Sequence, residues 1–151
     1  MEADDQMIAA LKPKPAARLA AIQALFQFEQ DERPIAAIIA QFRDHRLGET
    51  ADAGLFERVA EGTGGALPLI DQQIAGVLSE KWSVDRLDPT LRAILRCGTF
   101  ELMQSRDYPA GAILRAYVDL AGSFFGDRET AFANGVLDRL AKMLRPQDGA
   151  A

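Results

Sequence analysis

Apolar side chains recur every three or four residues along nearly the whole chain, and no stretch alternates with the two-residue period of a half-buried strand. Ala and Leu are abundant, whereas Val, Ile and Thr are scattered. A chain patterned this way is expected to be all-α, its apolar stripes buried helix against helix. Seven helices follow from the spacing. The first covers about Pro15 to Glu29, with Leu19, Ile22 and Phe26 on one face. Pro15 suits a first turn, where its missing N–H has no partner to lose. The second starts near Pro34, carries Ile35, Ile38, Ile39 and Phe42, and stops around His45–Gly48. A polar stretch leads to a short third helix with Leu55, Phe56 and Val59, which Gly62, Gly64 and Gly65 are expected to break. The fourth runs from about Leu67 to Lys81.

The clearest boundary is the segment Ser83–Pro89, where Asp88 is a good N-cap and Pro89 a good first-turn residue. A fifth helix follows to about Gln104, lined by Leu91, Ile94, Leu95, Gly98 and Leu102. A glycine inside a helix costs about 1 kcal/mol against Ala, so Gly98 points to a close helix–helix contact. The sixth helix spans roughly Ala110 to Phe125 and the seventh about Glu129 to Leu144, with Phe132, Val136, Leu140 and Met143 as its stripe. The organisation expected is a flexible arm over 1–14, helical halves over 15–82 and 83–145, and a frayed tail over 146–151.

Composition narrows the chemistry. The net charge is −5, with Glu2, Asp4 and Asp5 opening the chain, which excludes a uniformly basic nucleic-acid binder. Lys12, Lys14 and Arg18 make a small basic cluster just behind that acidic tip. One Cys and one His exclude a disulfide framework within the chain, a cysteine-based zinc site and a multi-histidine metal centre. His45 sits at a helix end, where an imidazolium would suit the dipole, and Cys97 reads as a small core residue. Trp82, just before the link, reads as packing or as a staple between the halves. The glycines at 62–65 lack the preceding strand and the lysine of a phosphate-binding loop. No apolar run is long enough for a membrane span, no secretory leader is evident, and the expected compartment is the cytoplasm.

Four pieces then resemble the NusB family: ARLAAIQALFQFE at 17–29, LRAILRCGTFEL at 91–102, DYP at 107–109 and FANGVLDRLAK at 132–142. Their order and spacing agree with the family over about residues 14–145, and a length of 151 fits its standalone members. The resemblance implies a fold of two packed three-helix bundles. It implies a transcription antitermination factor that pairs with the ribosomal protein NusE, binds the boxA element of ribosomal RNA leader transcripts and joins the RNA polymerase antitermination complex. Neither cofactor, metal nor catalysis is implied, and a homodimer is left open.

Carried over position by position, the resemblance assigns RNA contact to Lys12, Lys14 and Arg18, with Pro15 and Ala16 where members often carry Arg. Phe26 stands in place of a Tyr that ends the first helix, and Arg92 in place of a Lys. Arg128, at the start of the last helix, stands where a polar or acidic residue is common. Phe132 matches an aromatic that contacts RNA, though its place on an apolar stripe equally suits the core. Leu91 replaces an acidic residue. Leu114, Arg115 and Ala116 stand in place of Ile-Asn-Glu, so Leu91 and Arg115 mark the partner surface. The thinned basic arm also supports a second reading, a protein-only module or paralogue that binds NusE or another partner with RNA binding weak or lost. A third, a detached regulatory domain of an rRNA methyltransferase, would need a catalytic domain.

Overall fold

The computed structural model describes residues 5–148, and all regular structure among them is helical. A first compact unit ends at Ala66 and holds α1 (Asp5–Ala10), α2 (Pro13–Gln30), α3 (Ile35–His45) and α4 (Ala53–Gly65). Helices α2, α3 and α4 pack pairwise as a three-helix bundle, with α1 laid on α2. The ten consecutive residues Ala16–Leu25 are all buried, because α2 has neighbours on every side. An Ala-rich helix suits that place, since small side chains let three other helices approach.

The N-terminus departs from the expected arm. Residues 5–10 form α1, Ile8 is buried, and α2 begins at Pro13 rather than Pro15. Part of the supposed arm (residues 1–4) lies outside the described residues. Burying Ile8 supplies the apolar contact that holds this short helix in place. Gly62, Gly64 and Gly65 do not break the chain but close α4 as its last turns. Gly64 has a packing reason: a Cβ there would lie 2.7 Å from Cγ1 of Ile35. Asp52 caps α4, accepting from the Leu55 N–H at 3.0 Å. His45 ends α3 with Arg43 in the same last turn, as the dipole argument expects. Between α2 and α3, the Arg33 side chain and backbone N–H both donate to Asp31 and hold its carboxyl below the usual carboxylate range.

The second compact unit starts at Leu67 and holds α5 (Leu67–Val77), α6 (Pro89–Gln104), α7 (Ala110–Phe124) and α8 (Asp127–Leu144). The division therefore falls at Ala66–Leu67 and not at 83–88. Helix α5 packs on α6 and α8, so the 3-10 turn at Val84–Arg86 is a bend inside one unit. Helix α5 stops at Val77, short of Lys81, and Arg139 Nε donates to the carbonyl of that last residue at 3.2 Å. Helices α6, α7 and α8 pack pairwise, with α6 surrounded as α2 is. Asp88 caps α6 through the Thr90 and Leu91 N–H groups at 2.8 and 3.1 Å, ahead of Pro89. Cys97 is a fully buried core residue.

Gly98 marks the expected close approach. A Cβ there would stand 3.0 Å from Cδ2 of Leu137 and 3.3 Å from the Tyr117 ring. That ring is fully buried, and its hydroxyl donates to the Glu101 carboxylate. Met143, placed on the apolar stripe by spacing, is instead 47% exposed, since only part of α8 faces α6 and α7.

The C-terminal tail is not frayed over its described residues. Pro146–Asp148 form a 3-10 turn, and Arg145 is 4% exposed. Residues 149–151 lie outside the description.

Candidate nucleic-acid interface

In the first unit, the candidate cations separate by burial. Lys12 is the N-cap residue of α2 and Lys14 lies in its first turn, both exposed. Arg18, one turn on, lies in the buried run and is 6% exposed. It is a packed residue of α2 and not part of a solvent-facing arm, because α2 is enclosed at that turn. Phe26 is half-buried near the far end of the same helix, twelve residues from Lys14 or about 18 Å along the axis. One nucleotide cannot touch both.

In the second unit, α6 and α8 bring three of the candidates together. Leu91, Arg128 and Phe132 line one cleft of about 470 Å³, with Trp82 and Leu87 also in its wall. Arg128 and Phe132 are four residues apart on α8 and so share a face. Arg128 is exposed, Phe132 half-buried and Leu91 buried at the cleft floor. The Phe132 ring meets Trp82 at 5.5 Å between centroids and 53° between planes. Phe132 is thus not enclosed in the core: it packs on a neighbour and also lines the cleft. Asp88 and Glu129 stand at the same cleft, so its charged groups are one cation and two carboxylates.

Two candidates fall elsewhere. Arg92 is 8% exposed, and its Nη1 donates to the carbonyls of Val84 at 3.1 Å and Leu87 at 2.7 Å. Its charge ties the 3-10 turn to α6 instead of reaching solvent, since α6 is surrounded at that position. Arg115 is exposed on α7 and does not line the cleft. Trp82, which the sequence reads as packing or as a staple between the halves, also lines the cleft. It is the chain's one tryptophan, 49% exposed, and it packs on Phe132 within the second unit. Its isolation just before the Asp88 cap was the available signal.

Among the described residues, no group of three His, Cys, Asp or Glu side chains is placed to hold a metal ion. No helix among them is long and apolar enough to cross a membrane.

The family model described as the NusB family matches residues 15–142. The transcription antitermination protein NusB of Sphingopyxis alaskensis is 44% identical over 140 residues, covering 87% of this chain and 94% of that protein. Among solved structures, NusB of T. maritima is similar at a TM-score of 0.78 and 31% identity, covering 93% of this chain and all of that one. A crystal structure of the antitermination factors NusB and NusE in complex with double-stranded RNA contains a chain with the same fold. Its TM-score is 0.74 at 23% identity, over 84% of this chain and 94% of that one.

Proposed function

Because this chain belongs to the NusB family, we propose that it is an RNA-binding transcription antitermination factor that pairs with NusE and binds boxA RNA of ribosomal RNA leader transcripts. It works in the cytoplasm with RNA polymerase, without catalysis and without a cofactor. The observation that carries the reading is the cleft of α6 and α8. There Arg128 and Phe132, one helical turn apart on α8, stand with the Trp82 ring beside the apolar side chains of Leu87 and Leu91. Aromatic faces stack on unstacked bases, and a neighbouring arginine meets phosphate. Lys12 and Lys14 add exposed positive charge.

The affinity of the isolated chain for RNA is set low by its own charge. A net −5 repels a polyanion, and of the cations assigned to RNA contact only Lys12, Lys14 and Arg128 are exposed. A basic partner would raise the local positive potential, so the NusE complex binds RNA more tightly than the chain alone.

The burial of Arg18 and Arg92 favours a second reading, in which the fold binds NusE or another protein and RNA contributes little. Fluorescence anisotropy of a labelled boxA RNA separates the two. The chain is titrated alone and with equimolar NusE, at two salt concentrations. Salt-sensitive binding that strengthens with NusE supports antitermination. Capture of NusE without any gain in RNA affinity supports the protein-only module.

A further inference from the structure

We infer that Trp82 is the base-stacking residue of the α6–α8 cleft, holding one unstacked nucleobase of a single-stranded RNA on its open face. This rests on the RNA-binding reading above. Three large apolar side chains stand exposed among the described residues, and Trp82 is the one that faces a cleft holding a second aromatic ring. At 5.5 Å and 53° the Trp82 and Phe132 rings are already in contact, so no planar base enters between them. Phe132 instead braces the indole, and the half of Trp82 that is open to solvent is the stacking face.

The charges at the cleft select the kind of guest. Asp88 and Glu129 repel a phosphate from the cleft, and Arg128 repels a lysine or arginine side chain of a protein. A neutral ring escapes both penalties. Its N–H groups suit the carboxylates, while its own phosphate stays at the rim with Arg128. Leu91 gives the floor an apolar surface for the ring's edge. Asp88 Oδ1 is already committed to capping α6, which leaves its Oδ2 and the Glu129 carboxylate as acceptors.

The test uses the full chain with NusE and a single-stranded boxA RNA. Since Trp82 is the chain's one tryptophan, its emission reports the contact directly, and Trp82→Phe identifies its share of the signal. Saturating RNA is expected to quench Trp82 emission. Trp82→Ala and Trp82→Leu are expected to weaken RNA binding about tenfold, and Trp82→Phe to stay within about threefold of wild type. The slope of log affinity against log salt stays unchanged, because no phosphate contact is removed. Trp82→Leu keeps apolar cover over Phe132, so it answers the question if the alanine variant folds poorly.

The inference is overturned if wild type binds RNA with unquenched Trp82, or if Trp82→Leu binds RNA as wild type does. The antitermination reading then stands. It is equally overturned if the variants weaken NusE capture in the absence of RNA, which makes the cleft a protein-docking surface. If the wild-type complex does not bind RNA at all, this inference and the functional reading fall together.

Discussion

Arg145 and Asp148, three residues apart, close the facing ends of two consecutive helices. The Arg145 guanidinium donates to the carbonyls of Glu101 at 3.0 Å, Leu102 at 2.9 Å and Ser105, at the end of α6. It also donates to the Tyr108 carbonyl at 2.8 Å and to Asp148 Oδ2 at 3.1 Å. The same Asp148 oxygen accepts the Ala110 N–H at 3.2 Å, at the start of α7, where Pro109 offers no side-chain cap. A cation thus serves a helix C-terminus and an anion a helix N-terminus, each matching the dipole.

Arg145→Ala is therefore expected to destabilise the protein by about 3 kcal/mol, because buried carbonyls lose their donors. Arg145→Lys recovers only part of this, since an ammonium cannot span the fork. Asp148→Ala costs about 1 kcal/mol. Urea unfolding of the three variants checks the order. Equal midpoints for wild type and Arg145→Ala would refute the capping role.

Glycine substitutions should split by location. At Gly64 a Cβ meets Ile35 Cγ1 at 2.7 Å and Cβ at 3.1 Å, atoms too near the backbone to swing away. At Gly98 it meets Leu137, which is fully buried. Ala at either position is expected to cost about 1–3 kcal/mol from overpacking, outweighing the helix-propensity gain. Gly111→Ala, on an open face of α7, is expected to gain about 0.5–1 kcal/mol. Thermal melts of the three variants decide this.

The candidate cations should likewise divide. Lys12→Glu with Lys14→Glu is expected to lower boxA affinity about tenfold at low salt and to flatten the salt dependence, with stability changed by less than about 1 kcal/mol. Arg92→Ala is expected to cost about 2 kcal/mol of stability, through the Val84 and Leu87 carbonyls, and to leave RNA affinity per folded molecule unchanged. Anisotropy and urea unfolding on the same preparations separate the two effects. Weak RNA binding by a fully stable Arg92→Ala would return that residue to the interface.

Acid titration should expose the Asp31 turn. Its carboxyl titrates lower in the folded chain than the ordinary 3.8, chiefly through hydrogen bonds from Arg33. The stabilisation is present above the unfolded pKa and lost as pH falls through the folded one. Wild type is expected to exceed Asp31→Asn in stability at neutral pH, with the gap closing in strong acid. A gap independent of pH would rule the carboxylate out as its cause.

The helical class, the Asp88 cap and the close contact at Gly98 were legible residue by residue, and the family through FANGVLD and its companion motifs. Each of these depends on neighbours along the chain or on a short pattern, so a linear reading reaches them. Which helices are surrounded emerged from the packing. Helices α2 and α6 carry enough Ala, Leu and polar residues to pass for surface helices, yet each packs against three others. That enclosure buries Arg18 and Arg92, while Lys12, Lys14 and Arg128 stay in solvent. Likewise Arg145 meets carbonyl groups some forty residues back, and Trp82 meets Phe132, fifty residues on in α8. Burial of a charge and the pairing of distant groups depend on what the rest of the chain packs against them. Neither spacing nor composition carries that information.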